Sequence, residues 1–364
     1  MAGAVRVVLD GYQLTDGSEQ RGIGTVLRHV LPGLAGDDRL AVSVLARPAA
    51  RVPDGVERIH LARHDLRPRL AHLEHELRLP ADLRRARAEV ILSPGNLPPR
   101  RSPAPLVQIL YDLTPLVWPH PLSENEARRW RRAAAQLRRA RMVVAISRSA
   151  ADQGIAHLDL DPDRVEVVHL GADPTFAPGP RPDGAGPPHL LYVGAWGPHK
   201  GYAEAMAVVA AVADAGHPHR LRIVGPADAW MAERVAEVRA AAPRPDLVDV
   251  VGWVPDVVAA YRSADALLFT SRAEGFGLPL LEALACGLPV VAFANTSIPE
   301  VVGDAALLVP DGDVAAATAA VHRVLSEPTL ARELAGGGPT RAATFRWADA
   351  VGAYADILMG AADR

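Results

Sequence analysis

Short, almost wholly apolar runs alternate with longer segments of helical spacing along the whole chain. In the first half the runs are VRVVLD (5–10), LAVSVLA (40–46), AEVILS (88–93), LVQILYD (106–112), MVVAIS (142–147) and VEVVHLG (165–171). After residue 188 they are HLLYVGA (189–195), RLRIVG (220–225), VDVVGWV (248–254), ALLFTS (266–271) and PVVAFA (289–294). Runs of Val, Ile and Leu with no polar alternate face predict strands covered on both sides, as in parallel sheets flanked by helices. Between the two sets lies APGPRPDGAGPP (177–188), whose proline and glycine content predicts a linker. The pattern therefore predicts two doubly wound α/β domains, 1–176 and 189–344. A last helix is expected over 345–364, with apolar positions at Trp347, Val351, Tyr354 and Leu358.

Composition narrows the function classes. A chain of 364 residues is too long for one ordinary core and suits two. With 49% hydrophobic residues and a net charge of −3, neither a nucleic-acid footprint nor another strongly charged whole-protein partner is implied. The single cysteine, Cys286, excludes an intrachain disulfide and a cysteine zinc cage, and its ALACG setting predicts a packed thiol. The histidines lack close metal-ligand spacing and no HExxH occurs, so no metal or other cofactor is expected. MAGAVRVVLDG runs straight into a strand without a signal-peptide pattern, and no apolar run approaches membrane-spanning length. A soluble cytoplasmic protein is the expectation.

The chemistry concentrates in Ser271–Val302, SRAEGFGLPLLEALACGLPVVAFANTSIPEVV. A strand ending near Ser271 leads into a turn with Gly275 and Gly277, whose backbone can approach a ligand closely. Pro279 suits the first position of a helix and Gly287 its end. This places Glu274 in a strand-to-helix loop and Glu282 in the first helical turn. Ligands of open α/β sheets bind at this end of the strands; helix starts favour phosphate, and paired carboxylates suit hydroxyl-rich sugars and ribose.

Glu274 and Glu282, with seven residues between them, set among GFGLP, LEALACGLPVV, SIPEVVG and AALLVPDGD, resemble the signature of retaining family 4 glycosyltransferases. The resemblance implies the GT-B fold: two Rossmann-like domains facing across a cleft, with the final helix returning to the first domain. It also implies a nucleotide-diphosphate sugar as donor and same-face attack without metal. Glu282 would then bind ribose and Glu274 the donor sugar, near the amides of Gly275, Phe276, Gly277 and Leu278.

LLYVGAWGPHKGYAEAM (190–206) places Lys200 at a helix start, where cation and backbone amides both suit phosphate. In family terms Lys200 contacts the donor diphosphate, but an arginine common just before it is replaced here by Ala195 and Trp196. Arg21 and Arg272 are the candidate substitutes. Gly22 and Gly24 of RGIG precede a helix and resemble the family's donor-side glycine loop; a tight turn without ligand is the alternative. Tyr111 stands where a histidine is common, which leaves that catalytic role unassigned. Asp112 is a candidate for a donor or acceptor hydroxyl, or else caps its own loop.

Other patterns favour ordinary roles. Asp159 and Asp161 resemble a D-x-D metal motif, but their setting in HLDLDPDRVEVV suits turn formation. The arginines of residues 124–143 and near Leu83–Arg87 suit weak contact with anionic lipid or acceptor; a solvated helix face is the preferred reading. The acceptor class stays open among glycans, lipid-linked glycans and small molecules. The competing functions are a nucleotide-sugar hydrolase or epimerase on the same fold, and a non-catalytic binding subunit.

Overall fold

The computed structural model describes residues 3–11, 14, 22–47, 50–60, 71–95, 99, 101–118, 124–182, 184, 186–225 and 229–363. Two compact units emerge: Met1–Gly171 with Arg346–Arg364, and Ala172–Phe345.

The first stretch runs β1 (Val5–Asp10), α1 (Gly22–Ala35), β2 (Leu40–Ala46), β3 (Glu57–His60), α2 (Ala71–Arg85), β4 (Val90–Ser93), β5 (Leu106–Leu110), α3 (Thr114–Val117), α4 (Glu124–Leu137), β6 (Met142–Ala145), α5 (Arg148–Leu158) and β7 (Val165–Val167). The second runs β8 (His189–Val193), α6 (Tyr202–Asp214), β9 (Arg220–Val224), α7 (Ala229–Ala240), β10 (Val248–Gly252), α8 (Val257–Ser263), β11 (Ala266–Phe269), α9 (Leu278–Ala285), β12 (Val290–Ala294), α10 (Ile298–Val302), β13 (Leu307–Pro310), α11 (Val314–Ser326), α12 (Pro328–Ala342) and α13 (Trp347–Ala362).

Each unit holds one parallel sheet, ordered β3-β2-β1-β4-β5-β6-β7 in the first and β10-β9-β8-β11-β12-β13 in the second. In both, strand order reverses beside the first strand: between β1 and β4, and between β8 and β11. Burial on both faces explains the continuous apolar runs. In the first unit, Val8, Ile91, Leu110 and Val143 join Leu83 of α2, Leu137 of α4 and Leu158 of α5 in one cluster. In the second, Leu190, Leu221, Leu268 and Val291 join Met206 of α6 and Val321 of α11. Each such side chain withdrawn from water contributes roughly 1.5–3 kcal/mol before chain entropy is subtracted.

Two features differ from the sequence reading. β3 and β13 extend the sheets at opposite edges; ERIH carries too much charge, and LLVP too few residues, to stand out as strands. The Pro/Gly-rich segment 177–188 belongs to the second unit, whose boundary lies earlier, between Gly171 and Ala172. Charge anchors that segment: the Arg262 guanidinium donates to the Ala177 carbonyl at 2.9 and 2.7 Å, and Arg181 pairs with Asp265 at 2.7 Å. The last helix, α13, belongs to the first unit and packs on α1 and its central strands, with the Trp347 ring stacked on His29 at 4.4 Å.

Candidate functional site

The site grows from the strand-order reversal between β8 and β11. Both strands end there, and their following loops carry the expected chemistry. After β8 the chain turns through Gly197 into a short 3-10 turn, Pro198–Lys200, before α6. Gly201 then adopts φ 66°, and a Cβ at this residue would collide with the Thr270 carbonyl. Thr270 returns the contact by donating its hydroxyl to the Gly201 carbonyl at 2.7 Å. Tyr192 adds a second tie, its hydroxyl donating to the Lys200 carbonyl at 2.6 Å. The loops after β8 and β11 are thus locked together, and Lys200 is held between them.

The Lys200 ammonium donates to Glu274 Oε1 at 2.7 Å, with side-chain exposures of 19% and 11%. Half-burial makes this pair stronger than an exposed one. Lys200 sits in the turn before α6 rather than at the helix start proper, because Gly201 is the capping residue. Arg272 directs its guanidinium to Asp311 at 3.4 Å and Glu204 at 3.9 Å. Trp196 stacks on Tyr202 at 5.3 Å, so an aromatic contact occupies the stretch before Lys200. Arg21 lies outside the described residues.

The loop from Glu274 to Gly277 is shaped by residues that the sequence reading did not single out. Thr296, with φ 42°, accepts the Glu274 amide hydrogen at 3.0 Å through its hydroxyl. The Ser297 hydroxyl is shared between the carbonyls of Glu274 at 3.1 Å and Phe276 at 2.9 Å. Asn295 donates to the Ser271 carbonyl at 3.0 Å and to Asp311 at 2.8 Å. The Asn-Thr-Ser run itself was the only available signal. Phe276 turns its ring away, buried edge-on against Phe345 at 5.7 Å, leaving its backbone to the loop. Gly277 reaches φ 100° to begin α9.

Glu282 lies in the second turn of α9 rather than the first, because the helix begins at Leu278, one residue before Pro279. Its Oε2 accepts the hydroxyl of fully buried Tyr261, on α8, at 2.7 Å. Burial pushes the Glu282 carboxyl from 4.5 up to about 7; the nearby Asp173 charge raises it further, while the Tyr261 bond opposes the rise. The Tyr261 phenol stays a neutral donor, its pKa driven up chiefly by burial. Phe176 packs edge-on against that ring at 5.7 Å.

The remaining candidates belong to the first unit. Gly22 and Gly24 form the first turn of α1 itself, with Gly24 buried, rather than a loop preceding a helix. Asp112 accepts the Thr114 amide at 3.0 Å and so caps the turn into α3. Tyr111 is buried, its hydroxyl without a partner among the described residues. Asp159 takes a left-handed φ of 54° at the end of α5, and Asp161 caps the following turn by accepting the Asp163 amide at 3.1 Å. Among the described residues, no group of three His, Cys, Asp or Glu is placed to hold a metal. No described helix is long and apolar enough to cross a membrane. Cys286 is buried, which pushes its thiol up to about 11 and keeps it protonated.

Comparison with known proteins bears on the family and the fold. Residues 20–176 match the glycosyltransferase family 4 model, and residues 187–327 match the model of glycosyl transferases group 1. A D-inositol 3-phosphate glycosyltransferase of Streptomyces bingchenggensis is 31% identical over 245 residues, 60% of this chain and 52% of that protein. The match thus spans about half the length of that relative. Sucrose-phosphate synthase from Thermosynechococcus elongatus has the same fold, with TM-score 0.79, 20% identity and 98% of each chain covered. The Anabaena protein HepE in complex with UDP-glucose superposes with TM-score 0.76 at 16% identity, covering 98% of this chain and 99% of that one.

Proposed function

The chain belongs to glycosyltransferase family 4 and has the GT-B fold, and from that premise we propose that it is a retaining, metal-independent transferase. Its donor is a UDP- or GDP-linked sugar and its target an acceptor hydroxyl. The observation that carries the reading is the Lys200–Glu274 pair, 2.7 Å long and half-buried, at the strand-order reversal of the second unit. A diphosphate arriving there competes with Glu274 for the ammonium, which frees that carboxylate for sugar hydroxyls. Lys200 then stabilises charge on the departing diphosphate. Glu282, oriented by Tyr261, accepts hydrogen bonds from the ribose hydroxyls.

In the transfer, the bond from the anomeric carbon to the diphosphate oxygen breaks. A new bond forms from the acceptor oxygen on the same face, and the acceptor proton passes to the leaving diphosphate. This route needs no separate general base. The complex of the Anabaena protein HepE with UDP-glucose supports a nucleotide-sugar donor by analogy.

A thermal-shift screen against UDP, GDP, ADP and dTDP, followed by product analysis with the stabilising donor, tests the reading. Selective stabilisation and a product of retained anomeric configuration are expected. An inverted linkage, or sugar release that no acceptor suppresses, contradicts it.

A further inference from the structure

A charged feature that plays no part in this site lies in the first unit, at the amino-terminal ends of the strands. Five arginines line a groove of about 530 Å³ there. Arg84 comes from the last turn of α2, Arg101 from the approach to β5, and Arg139 from the chain just after α4. Arg141 precedes β6, and Arg164 ends the 3-10 turn before β7. Backbone bonds fix this framework: the Arg141 amide donates to Leu106 at 2.8 Å, and the Ile91 amide to Pro105 at 2.9 Å. No described residue lining the groove is acidic.

Like charges rarely converge from four separate segments without compensation. Elsewhere in the molecule arginines find carboxylates, as in Arg39–Asp37 at 2.7 Å, Arg220–Asp249 at 2.6 Å and Arg346–Asp349 at 2.6 Å. Here, among the described residues, only Arg164 does, with Asp161 at 3.4 Å. Arg84, Arg101, Arg139 and Arg141 make no ion pair among the described residues. Asp163, Glu166 and Asp356 line an adjoining groove with Arg141 but do not pair with it. Arg138, beside Arg139, points to the Leu158 carbonyl at 2.8 Å and is spent there.

We propose that this arginine-lined groove binds an anion carrying two or more phosphate or sulfate groups, at a site separate from the donor nucleotide. Guanidinium forks grip such oxygens two at a time, and one phosphate cannot engage four free forks at once. Clustered phosphates can, whether on a free polyanion or displayed as lipid headgroups.

The test is isothermal titration of the full chain with tripolyphosphate, against sodium chloride at matched ionic strength. Arg139→Gln/Arg141→Gln should weaken binding about tenfold or more, since charged hydrogen bonds are lost. Its stabilisation by the donor nucleotide and its melting curve should match those of the parent, which excludes a folding defect. Lys200→Ala should leave tripolyphosphate binding intact. Sedimentation with vesicles of phosphatidylcholine and phosphatidic acid identifies the source. If the double variant also releases these vesicles, the ligand is a headgroup; if only tripolyphosphate binding falls, it is a free anion. No binding above the chloride control, unchanged binding in the double variant, or loss in Lys200→Ala instead, overturns the assignment.

Discussion

The two sheets follow one doubly wound plan, yet the carboxyl ends of their strands hold polar groups in opposite ways. In the second unit Lys200 is bonded to Glu274, Tyr261 to Glu282, and Ser297 to two loop carbonyls. At the corresponding end of the first sheet, Ser93 and Gln108 sit side by side in register on β4 and β5. Among the described residues, the Ser93 hydroxyl and Gln108 Oε1 are both buried without partners, and the Gln108 amide nitrogen is anchored on the Gly95 and Ile109 carbonyls. A buried oxygen left unpaired costs about 1–3 kcal/mol, whereas a paired one fixes the direction of its neighbour. Orientation is therefore built into the second unit, where charged groups must meet a defined ligand.

Removing the central charge should break this contrast most strongly. Lys200→Ala is expected to lower turnover on the order of 10²-fold or more in a sugar-transfer assay, and near-parental turnover would refute the role assigned to Lys200. Next in size is the turn that holds it. Gly201→Ala forces a side chain into a left-handed φ of 66° and against Thr270, so chemical denaturation should show a loss of about 2–3 kcal/mol. An unchanged midpoint would mean that the two loops are not locked.

Tyr261→Phe keeps the buried ring and removes one bond to Glu282. Donor KM should rise about tenfold with kcat little altered, and the Glu282 carboxyl should titrate higher still. A fall confined to kcat would argue against a positioning role. A smaller difference compares like residues at the two edges: Ser297→Ala should cost about 1–2 kcal/mol and Ser93→Ala under about 0.5 kcal/mol. Equal costs would erase the distinction between the edges.

A further effect is that of pH. Because the folded Glu282 carboxyl titrates near 7 rather than 4.5, the folded state holds its proton longer. Its stabilising contribution is whole below 4.5, declines as pH rises and is lost above about 7. Glu282→Gln should flatten that part of the stability profile. An identical profile in the variant would place the titration elsewhere.

Much of this was legible in the amino-acid order. Central strands such as 266–271 and 289–294 are buried on both faces, so their apolar runs marked them directly. Glu274, Lys200 and the turn at Gly277 could be found because strand, glycine and helix follow one another locally. Contacts between distant segments could not. Tyr261 reaches Glu282 across 21 residues and Ser297 reaches Phe276 across 21, and nothing at either partner announces the other. Boundaries misled where one residue shifted a cap: Leu278 rather than Pro279 begins α9 and moves Glu282 to the second turn. Gly22 and Gly24 resembled a ligand loop because glycine there signals a turn, whereas the chain is already helical.

A crystal structure with the stabilising nucleoside diphosphate bound tests the central claim most directly. The diphosphate should lie within hydrogen-bonding distance of the Lys200 ammonium, with the ribose hydroxyls on Glu282 and Glu274 released from its lysine. A nucleotide bound away from the loops after β8 and β11, with the Lys200–Glu274 pair undisturbed, would contradict it.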